Sequence, residues 1–222
     1  MTEAMTENMT VTEALNTRRS TRAFLPAPVE REKLDAIFAA AAKTPSWANS
    51  QPWEAFVASG GTLGRIKEAY REKYEQGAAR APETPRPAQW SDAAKKRQQE
   101  LRPAMERDCG EAVEQFGMLN QVMFHAPAVI YICMDKVLSE WSLYDIGAYS
   151  LSVMLAAAEQ GLATIPAITL MSYPDVLRRE LQIPDSLKLT IGIAIGYPDE
   201  GHGINRFVSG RKTLAETVRY LE

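Results

Sequence analysis

The chain has 222 residues, of which 45% are hydrophobic and 24% charged, with 13 Gly and 13 Pro. That profile belongs to a globular protein and excludes disordered, collagenous and coiled-coil classes. At roughly 150 residues per domain, the length holds one large domain, or a core with an embellishment, able to bury on the order of 70% of its unfolded surface. A formal charge of −3 offers no basic footprint for nucleic acid or an anionic membrane, and no apolar run reaches the roughly 18 residues of a membrane span.

Residues 1–9 read as a frayed start, and the acidic first eight give no expectation of a secretory leader. Cys109 and Cys133 form no CxxC pair and supply no zinc site, so no metal is expected and the expected location is reducing and cytoplasmic. Thr10-x-x-Glu13 is a capping box that opens a first helix. A basic cluster, Arg18-Arg19-Ser20-Thr21-Arg22, follows it, and Pro26-Ala27-Pro28 breaks the chain. Leu34, Ile37, Phe38 and Ala41 fall at i, i+3, i+4, i+7 and predict an amphipathic helix that ends near Thr44-Pro45. The polar stretch PSWANSQP (45–52) reads as a loop, and 53–59 alternates as a strand does.

The segment 62–123 is charged and helical by propensity, interrupted by APETPRPAQW (81–90); it is expected to be an excursion from the core. Ala128 to Met134 predicts a strand buried on both faces. Residues 141–160 are apolar nearly all round, as in a core or subunit-interface helix, with Gly161 as its C-cap. Ser172-x-x-Asp175 is expected to start another helix, Leu187 to Ile195 to form a third strand, and Thr213-x-x-Glu216 to open a last helix. Helices with a few separated strands predict an α+β sheet flanked by helices.

With only His125 and His202, zinc-protease motifs are excluded and a Ser-His-Asp triad has few options. His125 is expected to be structural and buried, His202 exposed. An enzyme without its own acid, base or nucleophile set takes its reactivity from a cofactor. The cluster at 18–22 offers bidentate donors suited to phosphate, with Arg206 and Arg211 available to converge on the same anion; a solvated basic patch is the other reading. In PSWANSQPW (45–53), Asn49 and Gln51 carry both donors and acceptors able to read a flat heterocycle, with Trp47 and Trp53 as stacking surface. The other reading there is a rigid turn with core tryptophans.

RRSTRAF (18–24), PSWANSQPW (45–53), YDIGAYSLSVMLAAAEQGLAT (144–164) running into IPAI (165–168), and IGIAIGYPD (191–199) with NRFVSGR (205–211) together resemble the nitroreductase family of FMN-dependent oxidoreductases. The resemblance implies an α+β sandwich with a central, mostly antiparallel sheet, a single domain over 1–222, and an obligate homodimer with FMN sites at its interface. The helical excursion at 62–123, which carries none of the resemblance, would cover the substrate side.

By that resemblance Arg18, Arg19 and Ser20 hold the FMN phosphate or ribityl chain, and Arg211 closes on the phosphate. Arg22 lies near flavin N1 and O2, where its charge favours the reduced ring. Pro45, Ser46, Asn49 and Gln51 come from the other subunit. Pro166, Ala167 and Ile168 lie against the flavin with a main-chain N–H near N5. Trp47 stands where many family members carry a small residue and is expected to form a substrate wall; Asn120 and Gln121 are left unassigned. The implied activity is ping-pong: NADPH or NADH gives hydride to flavin N5, and a small nitroaromatic or quinone acceptor receives two electrons. Arg80, Arg86 and Arg97 incline the expectation to NADPH. A reductive dehalogenase-like enzyme or a flavin-binding protein without turnover, both of the same fold, are the alternatives.

Overall fold

The computed structural model describes residues 9–222; the expectation of a frayed start falls largely outside them. Helix α1, Val11–Thr17, starts where the capping box puts it. The Glu13 N–H donates to Thr10 Oγ1 at 3.2 Å, and the Thr10 N–H donates back to Glu13 Oε2 at 2.7 Å. Helix α2, Arg31–Ala41, buries Leu34, Ile37 and Ala41. Then come β1 (Glu54–Ser59), α3 (Gly60–Glu75), α4 (Asp92–Cys109), α5 (Phe116–Gln121), β2 (Ala128–Asp135), α6 (Trp141–Glu159), β3 (Ala163–Pro166), α7 (Pro174–Leu181), β4 (Leu187–Gly196) and α8 (Leu214–Thr217).

The four strands form one sheet in the order β1-β2-β4-β3, with every neighbouring pair antiparallel. Successive strand residues point to opposite faces, and β2 uses both. Ala128, Ile130, Ile132 and Met134 pack with Ile37 of α2 and Val153 of α6. Val129, Tyr131 and Cys133 pack on the other side with Ile66, Leu119 and Leu177 of α3, α5 and α7. A strand between two helical layers must be apolar at every position, which is why AVIYICM shows no alternation. The result is the expected α+β sandwich. No helix among the described residues is long and apolar enough to cross a membrane.

Several expectations need correction. β3 was read as part of a motif and not as a strand; its four residues lack alternation and end in proline, and β4 recruits them through pairing from Ala163↔Gly196 to Pro166↔Ile193. Ser172 does not cap α7: its hydroxyl donates to Thr169 O at 2.8 Å, and the N-cap is Tyr173, with Pro174 the first residue of the helix. The last capping box is formed as expected, yet α8 stops after four residues because Val218 turns extended (φ −124, ψ 134). Met123, Phe124 and His125, at φ 52, 60 and 58, make a left-handed turn that swings His125 out to an exposed position, so it is not the buried residue expected.

The excursion is not uniform. Helix α3 is core, burying Leu63, Ile66 and Tyr70. The chain after it is pinned to the first half of β4, which β3 leaves open. The Leu189 N–H donates to Glu83 Oε2 at 2.7 Å, Leu189 O accepts from Thr84 Oγ1 at 3.1 Å, and Glu83 Oε1 accepts from Arg178 Nη2 at 2.7 Å. Helix α4, by contrast, buries only Met105 and Cys109 near its C-terminus, leaving its N-terminal part projecting.

Candidate active site

Helix α1 ends at Arg18, and the extended segment after it is held on three sides. Ser20 bridges Thr164 of β3 in parallel, and the Thr21 N–H donates to Thr164 O at 3.0 Å. Asn205, only 3% exposed, accepts from the Arg22 and Ala23 N–H groups (2.7 and 3.2 Å) and donates to Ala23 O and Asp199 O (2.8 and 2.9 Å). These bonds fix the basic segment against the loop after β4.

The segment lines a cavity of about 610 Å³ that brings together Arg18, Arg19, Ser20, Arg22 and Arg211. Four guanidinium groups face it against the single Glu200 carboxylate, in a chain whose overall charge is −3. Burial and the neighbouring Arg211 charge both draw Arg18 below arginine's ordinary value; a like-charged, partly desolvated pair is stabilised by a multiply charged anion. Arg206, which the sequence left free to join, is exposed and outside the cavity.

Arg22 is the most constrained of the set. Its guanidinium carbon lies 5.3 Å from the Phe207 ring centre and 5.9 Å from that of Phe116. Its Nη1 donates to Ser20 O at 2.9 Å, while its Nε is buried without a hydrogen-bond partner among the described residues. Burial lowers its proton affinity, offset in part by Cys109. A partly desolvated guanidinium with a buried, unpartnered Nε is costly on its own, so this position fits a bound group that brings acceptor atoms or negative charge.

Pro166, Ala167 and Ile168 continue β3 two residues beyond the cavity-lining Thr164. Pro166 has no N–H, and that of Ala167 is spent on Gly192 O at 3.0 Å. Ile168 begins a short 3-10 turn (168–171), where the first N–H groups lack intrahelical partners. It is therefore the one of the three positions able to offer an N–H outward. The turn lies so close on β4 that a Cβ at Gly192 would come within 2.7 Å of Leu170 Cβ.

The 45–53 loop lies elsewhere. Pro45, Asn49 and Gln51 are exposed, Ser46 is half-buried, and Trp47 is 68% exposed. The loop is braced internally, with the Gln51 N–H on Ser46 Oγ (2.9 Å) and Gln51 Nε2 on Asn49 Oδ1 (3.1 Å). It is anchored to α6 through the Trp47 N–H on Asp145 Oδ2 (3.2 Å), Thr44 Oγ1 on Ser152 Oγ (2.7 Å), and Trp53 stacked 4.5 Å from Tyr149. At about 100° per residue, Asp145, Tyr149 and Ser152 share one face of α6, and the cavity-lining Met154 and Ala158 lie about 180° round. Within one chain the loop and the arginine cavity are thus on opposite sides of the same helix. Tyr144, Ala148, Leu151 and Leu155 form an apolar stripe between those faces; Tyr144 is 76% and Leu151 39% exposed.

Asn205 and Asp145 were missed as individual residues. NRFVSGR contains Asn205, but no local pattern shows that it clamps a segment 182 residues away. A second cavity, of about 650 Å³, holds Arg80, Asn120 and Gln121 but neither Arg86 nor Arg97, so the three excursion arginines do not converge.

A family model described as "Nitroreductase family" matches residues 15–197, and the chain belongs to that family. It is 29% identical over 209 residues to "Nitroreductase NfnB" of Mycolicibacterium smegmatis, covering 91% of this chain and 89% of that protein. It is 28% identical to a "4-nitrobenzoate reductase" of Pseudomonas putida, over 85% of each. A crystal structure described as the FMN and NADPH-dependent nitroreductase NfnB from Sphigopyxis sp. strain HMH superposes with a TM-score of 0.88 at 30% identity, covering 96% of this chain and 99% of that one.

Proposed function

We propose that this nitroreductase-family chain is an FMN-dependent NAD(P)H oxidoreductase that reduces nitroaromatic, and also quinone, acceptors as a homodimer. The observation that carries the reading is the arginine cavity, with four guanidinium groups against one carboxylate and a half-buried Arg22 whose Nε has no hydrogen-bond partner among the described residues. FMN, when bound, would supply the two-electron chemistry of a ping-pong cycle between NAD(P)H and the acceptor.

Arg18 and Arg211 grip the phosphate, with Arg19 and the Ser20 hydroxyl beside it. Arg22, held by Ser20 O and the two phenylalanine rings, places fixed positive charge where the ring gains negative charge on reduction. Ile168 offers its N–H toward the ring. Pro45, Ser46, Asn49 and Gln51 come from the second copy, with Trp47 as a wall for aromatic acceptors. The α6 stripe of Tyr144, Leu151 and Leu155 supports dimerisation, since an apolar helix face of this kind is buried in obligate interfaces. The projecting part of the excursion covers the substrate side of a single-domain chain. Neither histidine lines the arginine cavity, so protons come from solvent.

Anaerobic titration of the flavin-loaded protein with NADPH tests this reading. The visible flavin absorbance should bleach at about one equivalent per subunit and return on adding a nitroaromatic. A protein that takes up no FMN, or whose flavin NADPH and NADH leave oxidised, overturns it.

A further inference from the structure

We propose that the second cavity, between α3, α5 and the 168–173 turn, is a subsite for the carboxylate of an aromatic acid, making acidic aromatics preferred acceptors. The link to acceptor choice rests on the proposed function; binding of the acid at this cavity does not.

The volume of about 650 Å³ suits a small organic ligand, and the walls are aromatic and stiff. Tyr70 and Tyr173 meet edge to face at 4.9 Å. The Tyr70 hydroxyl donates to Leu170 O at 2.8 Å and accepts the Tyr173 N–H at 3.3 Å. The inner end is polar: Thr169 Oγ1 donates to Asn120 Oδ1 at 3.1 Å, and Asn120 Nδ2 donates to Phe116 O at 2.8 Å. Thr169 directly follows Ile168, so the cavity adjoins the segment assigned to the cofactor.

The charge of the lining points to an anion. The lining carries Lys67, Arg71 and Arg80 together with Glu68 and Glu75. Arg71 is fully engaged, clamped between Glu68 and Glu75. Among the described residues neither Lys67 nor Arg80 has a carboxylate partner. Lys67 Nζ donates one bond, to Ala126 O at 2.8 Å, leaving two ammonium protons. The left-handed turn at 123–125 leads directly into Ala126, whose carbonyl holds Lys67 in place. Arg80 lies over the Tyr74 ring at 6.0 Å, with its N–H edges free. Partial desolvation and the nearby Lys67 charge draw His125 below histidine's ordinary value. Three cations against two carboxylates leave one net positive charge, which a monoanion balances. A phosphate dianion would exceed that balance by one charge, whereas the arginine cavity, with four cations and one carboxylate, has surplus enough for a dianion.

The test is calorimetric titration with benzoate, together with KM measured for 4-nitrobenzoate and nitrobenzene. It compares the parent protein with Arg80→Gln, at an exposed position, and Lys67→Gln, which keeps a donor for Ala126 O. Benzoate affinity should fall about tenfold in each variant, the loss of one charge-assisted hydrogen bond. It should not change in Arg211→Ala, which lies in the other cavity. The KM ratio of 4-nitrobenzoate to nitrobenzene should rise by the same factor. Three results overturn the proposal: no benzoate binding by the parent protein, an unchanged KM ratio, or displacement of benzoate by 2′,5′-ADP with both ligands weakened by the same variants, which marks a dinucleotide phosphate site. A chain that turns over neither acceptor sinks the oxidoreductase reading, while the calorimetric arm still decides the subsite.

Discussion

The arginine cavity and the 45–53 loop were both assigned to one cofactor, yet they are built in opposite ways. The cavity is assembled inside one chain, from the end of α1, from β3 and from the loop after β4, cross-tied by Asn205. The loop presents its amides to solvent from the far face of α6. In the proposed dimer, a single fold makes one half-site within its own chain and presents another outward, for a second copy to join. Charge is held where the chain can organise it alone, while the amides of the 45–53 loop face outward.

Removing the meeting surface breaks this contrast most severely. Leu151→Asp puts a charge in the middle of the α6 stripe; sedimentation should give a monomer, with FMN bound roughly a thousandfold more weakly, about 4 kcal/mol. A monomer that keeps its flavin would show that the loop plays no part. Next is Asn205→Ala, which strips partners from two N–H groups and two carbonyls near the arginine cavity. Urea unfolding should show a loss of about 3 kcal/mol, with flavin uptake impaired even where the chain stays folded. Arg18→Ala and Arg211→Ala should each cost about 2 kcal/mol of FMN affinity and leave the unfolding midpoint of the flavin-free protein in place; retained flavin stoichiometry counts against the phosphate assignment. The smallest effect on flavin is expected for Trp47→Ala, under about 1 kcal/mol, with a larger change in turnover of aromatic acceptors. An unchanged acceptor profile removes Trp47 from the substrate wall.

Local physics was the legible part of this chain. The capping box at Thr10 and the apolar spacing of Leu34, Ile37 and Ala41 report on neighbours within a few residues, and the structure uses them as read. The unbroken run at 128–134 was legible because burial on both faces leaves no polar position. What depended on distant partners was not. β3 exists because β4 offers an edge, and Asn205 matters because the chain returns to residue 22. The capping box at Thr213 announces a helix start but says nothing of length, so α8 ends after one turn. His125 was misjudged because three consecutive left-handed residues override the burial that its apolar neighbours suggest. The basic cluster stood out as a ligand candidate, whereas its counter-charge inventory required the cavity.

The strap formed by Glu83 and Thr84 has a consequence for how the protein behaves in crowded solution. A half-covered strand is a template for a foreign chain, because its unused N–H and C=O groups can extend the ladder. Here the Leu189 amide and carbonyl are already taken by two side chains, and Leu187 O by Arg178. Side chains complete the hydrogen bonding without providing a new edge for a neighbour to add to. The same few atoms that tether the excursion therefore also close this stretch of β4 to edgewise pairing.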